Sequence, residues 1–149
     1  MLDLACGSGR HARLLAGLGF NVFAVDRNLD AISHLQAVPG IAATQLDLEG
    51  DTWPLVGQIF AGIIITNYLW RPRLPEALAM LAPGGVLIYE TFMLGNEAYG
   101  KPSSPDFLLR PGELREVAQA AALRELAFEE GYAAEPKPAM RQAICAVRD

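Results

Sequence analysis

Residues 3–9, Asp3-Leu4-Ala5-Cys6-Gly7-Ser8-Gly9, set a glycine turn directly behind a short apolar run, and Asp26 follows seventeen positions after Gly9. Three needs of a nucleoside ligand meet in that spacing. Glycines let the backbone turn tightly and approach a ligand closely. The helix that opens after the loop offers unpaired N–H groups to negative or polar atoms. A carboxylate at the end of the next strand can accept hydrogen bonds from two ribose hydroxyls. A loop, a helix and a strand-end acid in this order require strand and helix to alternate, so the expected fold is α/β with a Rossmann-like, doubly wound sheet.

The loop alone leaves alternatives open. Gly7-x-Gly9-x-x-Ala12 also satisfies the dinucleotide fingerprint, so an NAD-type oxidoreductase domain competes with other nucleoside readings, and a tight turn that binds nothing is the plain one. Asp3 separates them. A strand buried on both faces is usually apolar throughout. A carboxylate four residues before Gly7 is costly to bury unless a cation or N–H donors meet it. With that acid in place, Leu2-Asp3-Leu4-Ala5-Cys6-Gly7-Ser8-Gly9 resembles the first motif of the class I S-adenosylmethionine-dependent methyltransferases.

A length of 149 residues fits one domain, 1–149, with a core of useful size. The longest strongly apolar stretch, residues 59–65, is too short to cross a bilayer. No charged-then-apolar leader precedes the glycine loop, which leads us to expect a cytoplasmic chain without a membrane partner. Cys6 and Cys145 form neither a disulfide framework nor a metal spacing, so no metal is expected. Twelve basic against seventeen acidic residues give a net charge of −5 with no Lys/Arg cluster. A phosphate backbone favours such clusters, so nucleic acid is disfavoured as a partner and a small molecule is favoured.

Periodicity predicts strands at 1–4, 21–25, 42–46, 62–66 and 86–92, and two more at about 123–130 and 141–147. The first helix is expected over about 8–18, with His11, Leu14, Leu15 and Leu18 on its inner face and Gly19 ending it. Asn28 caps a second helix that turns Ile32 and Leu35 inward. A third starts near Pro75 with Leu74, Leu78 and Leu81 on one side, and Pro83-Gly84-Gly85 returns the chain to the sheet. Pro111 opens a fourth, carrying Leu114, Val117, Ala118 and Ala121. This layout resembles the same methyltransferase family over the whole chain: about seven strands, the last antiparallel and inserted beside the fifth. Because the motif starts at Met1, the expected fold lacks the helix that related enzymes carry before strand one. The Pro111-Gly112-Glu113-Leu114 helix start and the C-terminal strand are similar to the tellurite-resistance branch of small-molecule methyltransferases.

The resemblance implies S-adenosylmethionine as cofactor and methyl transfer as activity, with a non-catalytic S-adenosylmethionine-binding domain as the other outcome. By position, Asp3, Ala5, Gly7, Gly9 and Asn67 belong to the implied cofactor site, with Ala5 and Gly7 meeting the methionine part through backbone atoms. Asp26 holds the ribose, with Arg27 beside it near the adenine. Asp47 and Leu48 meet the adenine amino group and ring. Asn67 opens the loop after strand four, Asn67-Tyr68-Leu69-Trp70. Several amino-group methyltransferases carry Asn/Asp-Pro-Pro-aromatic at that point. Both prolines are missing here, which argues against an adenine or glutamine-amide target. Tyr68 and Trp70 either wall the sulfonium or pack against the next helix. Residues 95–106 leave the ligand edge and could cover substrate, making Trp70, Tyr99 and Arg110 substrate candidates. A thiolate or reduced chalcogen would need no base; an amine or hydroxyl would, with Tyr68 and Glu90 as candidates. His11 is expected to be a partly buried, satisfied histidine.

Overall fold

A computed structural model describes all 149 residues. The first strand, β1 (Leu2–Leu4), lies in the middle of the sheet, parallel to β2 (Val22–Asp26) on one side and to β4 (Phe60–Thr66) on the other. Paired along both edges and covered on both faces, its three residues are at most 1% exposed. With β3 (Ile41–Gln45), β5 (Leu81–Phe92), β6 (Arg124–Ala133) and β7 (Ala139–Val147), the sheet runs β3-β2-β1-β4-β5-β7-β6. Only β7 is reversed, antiparallel to both β5 and β6. Seven strands with the last one inserted beside the fifth is the expected arrangement.

Helices α1 (Arg10–Gly17) and α2 (Leu29–Leu35) cover one face, where Ala12, Leu15, Leu35, Ala24 and Ile64 form a small core. Helices α3 (Leu74–Ala79) and α4 (Glu113–Ala120) cover the other, over a larger core that includes Leu4, Ile65, Leu78, Tyr89 and Leu114. Beyond β4 the first face is bare. Ile88 of β5, which pairs with Cys145, is 45% exposed.

Two local expectations are corrected. Leu14 and Leu18 are 60% and 66% exposed, and the inward residues of α1 are Ala12 and Leu15. The reason is Asp3, whose Oδ2 accepts a hydrogen bond from the Ala12 N–H at 2.9 Å and so fixes the rotation of the helix on the sheet. Leu81 belongs to β5 rather than to α3, and Pro83-Gly84-Gly85 bulge out within that strand, where pairing jumps from Phe60–Leu81 to Gly62–Val86. The β3–β4 crossover contains no helix; Trp53 and Leu55 fill that layer as buried side chains.

The segment 95–106 is stitched down rather than free. Buried Asn96 donates to the Pro102 carbonyl at 3.0 Å and accepts from the Met140 N–H at 3.2 Å. Helix α4 is anchored by Glu113, whose carboxylate, 3% exposed as a residue, accepts from Arg71 Nε at 2.6 Å and Nη2 at 2.9 Å and from the Arg110 N–H at 2.7 Å. Glu113→Gln keeps the shape and removes the charge, so it is expected to cost about 1–2 kcal/mol. Chemical denaturation at pH 7 reads this. The loss shrinks at acid pH: burial opposes the Glu113 charge but the Arg71 hydrogen bonds prevail and hold its pKa below the usual range, so its contribution is present above the unfolded pKa and lost as pH falls through the folded one.

Candidate functional site

The C-terminal ends of β1, β2 and β4 meet the glycine loop, the ligand edge of a sheet of this kind. Gly7 and Gly9 adopt φ of +54° and +80°, and Ala5 is also left-handed at +56°. The two glycines have different tasks. A Cβ on Gly7 would meet no atom within 4 Å, so the space above it is open to a ligand; one on Gly9 would press into the buried side chain of Leu35. Asp26 braces the turn, accepting from the Gly7 N–H at 2.8 Å through Oδ2 and from the Asn28 N–H at 2.8 Å through Oδ1. Each oxygen keeps a lone pair for a further donor.

Asp3 is the anomaly. It is 1% exposed, and while Oδ2 is paired with Ala12, Oδ1 is buried with no partner. Burial first, and the Asp26 charge in addition, push its pKa up to about 6 against the pull of the Ala12 hydrogen bond. An orphaned carboxylate oxygen at a glycine loop fits a cationic group brought by a ligand, and the open space over Gly7 fits that ligand's body.

Two cavities adjoin the loop. One is lined by Ala5, Asp26, Arg27, Leu46, Asp47, Leu48, Glu49 and Tyr68. It gathers the residues expected around adenine and ribose. Arg27 is largely exposed, with Nη1 3.9 Å from Glu49, and Asp47 Oδ1 accepts from the Glu49 N–H at 2.9 Å. The second and larger is lined in part by Cys6, Gly7, Arg10, His11, Thr66, Asn67 and Tyr68. Asn67 stands at φ +53°, and its Oδ1 accepts from Arg141 Nη2 at 2.6 Å. Arg141 also forms an ion pair with Glu90 and lies over the Phe92 ring, 4.4 Å from its centroid.

Tyr68 lines both cavities, but its hydroxyl is buried without a hydrogen-bond partner. Burial, with Glu49 adding, raises its pKa, which suits a wall better than a base. The Tyr89 hydroxyl donates to the Tyr68 carbonyl at 2.9 Å and fixes that wall. Trp70, Tyr99 and Arg110 line neither cavity. Trp70 lies at the 3₁₀ turn before α3, Tyr99 packs 5.5 Å from Tyr132 of β6, and Arg110 binds Glu116 and Glu113 at the start of α4.

Arg141 and Thr66 are the residues sequence reasoning missed. Arg141 meets Glu90 only because β7 inserts beside β5, a register that no local pattern encodes. Thr66 Oγ1 lies 3.3 Å from His11 Nδ1, so the histidine is half-buried and partnered as expected. Cys6 lies in the second cavity, where burial, then Asp3 and Asp26, push its thiol pKa up to about 12 and keep it inert.

Comparison with known proteins adds three kinds of likeness. Residues 1–51 match the family described as tellurite resistance protein TehB. A protein-L-isoaspartate O-methyltransferase of Chlorobaculum tepidum is 36% identical over 106 residues, covering 65% of this chain and 46% of that protein. The chain therefore spans about half the length of the curated relative it matches. Among solved structures, TehB from Haemophilus influenzae superposes with a TM-score of 0.79 at 19% identity, over 99% of this chain and 57% of that one. A TehB-like S-adenosylmethionine-dependent methyltransferase from Corynebacterium glutamicum gives 0.70 at 20% identity, covering 99% and 79%. An S-adenosylmethionine-dependent methyltransferase from Methanosarcina mazei gives 0.75 at 16%, covering 99% and 91%. At these identities the solved structures speak for the fold.

Proposed function

We propose that this chain, a class I S-adenosylmethionine-dependent methyltransferase of the TehB type in fold and opening motif, binds S-adenosylmethionine as a single domain over residues 1–149 and methylates a small-molecule acceptor. The observation that carries the reading is Asp3: a buried carboxylate with one oxygen unpaired beside a glycine turn. An NAD-type domain is a poorer fit, since its sheet order is 3-2-1-4-5-6, whereas here a reversed β7 separates β5 from β6.

When bound, S-adenosylmethionine supplies a methyl group already activated on a cationic sulfur, so the protein's task is alignment and exclusion of water. Asp3 Oδ1 would accept from the ammonium group, and Ala5 and Gly7 would border the methionine chain. Asp26 would take the ribose hydroxyls on its remaining lone pairs. Arg27, Asp47 and Leu48 would frame the adenine, and Gly9 would keep the loop seated on Leu35. Asn67, held by Arg141, would border the methyl side, with Tyr68 as a wall between the two cavities. Glu90 is engaged by Arg141, which makes it a positioning group for Asn67. No helix is long and apolar enough to cross a membrane, and we place the activity in the cytoplasm on a small, non-polymeric substrate.

Isothermal titration with S-adenosylmethionine, S-adenosylhomocysteine and NAD tests the reading; no heat from the first two at millimolar ligand overturns it. The affinity carries a pH signature. Asp3 must be ionised to receive a cation, and its pKa is raised to about 6. Affinity is therefore expected to be flat between about pH 6.5 and 7.5 and to fall by up to about tenfold per unit below pH 6. A Kd that stays constant as pH falls from about 7 to about 5 would remove Asp3 from the site.

A further inference from the structure

We infer that His11 is the proton acceptor of the methyl-transfer site, so that the acceptor molecule is a hydroxyl or an amine that must lose a proton; this rests on the S-adenosylmethionine reading above. His11 is the second residue of α1, half-buried, and shares the wall of the larger cavity with Cys6, Thr66, Asn67 and Tyr68. Its Nδ1 lies 3.3 Å from Thr66 Oγ1, and its Nε2 hydrogen-bonds to nothing in the chain. In this inference the ring proton sits on Nδ1, donated to the threonine, which leaves the Nε2 lone pair free.

The other candidate bases in or beside this cavity have other tasks. Asp26 accepts from the Gly7 and Asn28 N–H groups and keeps its remaining lone pairs for the ribose, and Glu90, outside the cavity lining, is paired with Arg141. The Cys6 thiol and the Tyr68 hydroxyl are held protonated by burial first and by nearby acids. The charged groups acting on the imidazole are Arg10 on its own helix and Glu90 from β5, with Arg141 of β7 behind Glu90. Burial, then Arg10, lower the His11 pKa against the pull of Glu90, which keeps the ring neutral and able to accept a proton at pH 7.

The step balances within the site. As the acceptor's X–H bond breaks, its proton passes to Nε2. The freed pair forms the X–C bond, and the C–S bonding pair returns to sulfur. The imidazolium then releases its proton to water. Thr66 is the positioning residue, because its hydroxyl holds the ring at Nδ1.

The chain has two histidines, His11 and His34, so ring ¹H and ¹⁵N NMR resolves both, with exposed His34 as internal reference and His11→Gln assigning the signal. Titrations are run with S-adenosylmethionine and with S-adenosylhomocysteine, which differ by one methyl group and one positive charge. Both are expected to move the Gly7 and Gly9 amide signals. The ring ¹⁵N shifts should report Nε2 unprotonated. The sulfonium ligand should lower the His11 midpoint by at least about half a unit more than the thioether, roughly threefold in proton affinity, while His34 responds equally to both. Equal His11 midpoints with two bound ligands overturn the inference. Glycine amides unmoved by either ligand overturn the cofactor reading instead. In a second arm, single-turnover methyl transfer to a panel of small phenols, amines and thiols compares the wild type with His11→Gln. We expect phenol or amine labelling that falls by about a hundredfold in the variant with ligand Kd unchanged. Labelling confined to thiols, or indifferent to the substitution, overturns it.

Discussion

Gly9→Ala is expected to lower the unfolding free energy by about 2–5 kcal/mol, a large share of the roughly 5–15 kcal/mol that holds a domain of this size. Two costs add. Gly9 stands at φ +80°, where an L side chain is strained by about 1–2 kcal/mol. The new Cβ would also lie 2.6 Å from Leu35 Cδ1 and 3.0 Å from its Cγ. Leu35 is fully buried and cannot swing away without disturbing Ala12 and Leu15, so overpacking contributes about 1–3 kcal/mol more. Gly7→Ala is the matched control. It shares the positive φ but meets no neighbour, so a urea melt should show about 1–2 kcal/mol of loss, while titration shows the greater damage in ligand affinity. Equal stability losses for the two variants would mean that α1 does not rest on Leu35 as described.

Asp3→Asn is expected to weaken S-adenosylmethionine binding by at least about a hundredfold, the scale of removing one partner from a buried charge pair. Its effect on the free protein has a different sign and a defined pH window. A carboxyl whose folded pKa is raised to about 6 is ionised earlier in the unfolded chain, so the wild type is favoured below the unfolded value near 3.8 and loses stability as pH rises from there to about 6. Two units correspond to about 3 kcal/mol. The asparagine variant lacks this loss, so its stability relative to the wild type should climb by roughly that amount between pH 4 and pH 6 and then level off. Parallel melts across that range, with titration calorimetry at pH 7, check both halves. A variant that binds normally would show that Asp3 serves only to orient α1.

Much of the fold could be read from short-range features. The loop, Asp26 and the strand ends depend on glycine conformations and on alternation within a few residues. The need of Asp3 for an N–H partner followed from desolvation alone, and Ala12 supplies one such donor. The inward face of α1 was misread because Leu14 and Leu15 satisfy the same spacing, and a hydrogen bond from outside the helix decides between them. Trp70, Tyr99 and Arg110 were chosen for chemistry and nearness to the ligand edge. Their neighbours Tyr132, Glu113 and Glu116 draw two of them elsewhere. Arg141 and Glu90 are 51 residues apart and meet through strand register, which a linear reading does not contain.

The reversed β7 has a consequence for how the chain is made. Synthesis delivers β6 before β7, yet β7 must lie between β5 and β6. Until it emerges from the ribosome, β5 and β6 each carry an open edge with unpaired N–H and C=O groups, the condition under which nascent sheets pair wrongly with other chains. The composition of β6 suits that wait. Arg124, Glu125, Glu129 and Glu130 place four charges along ten residues and leave most of the strand at the water surface. A strand that must stand alone for a time is written in charge, while β7, which arrives to a prepared slot, carries the buried Gln142, Ile144 and Ala146.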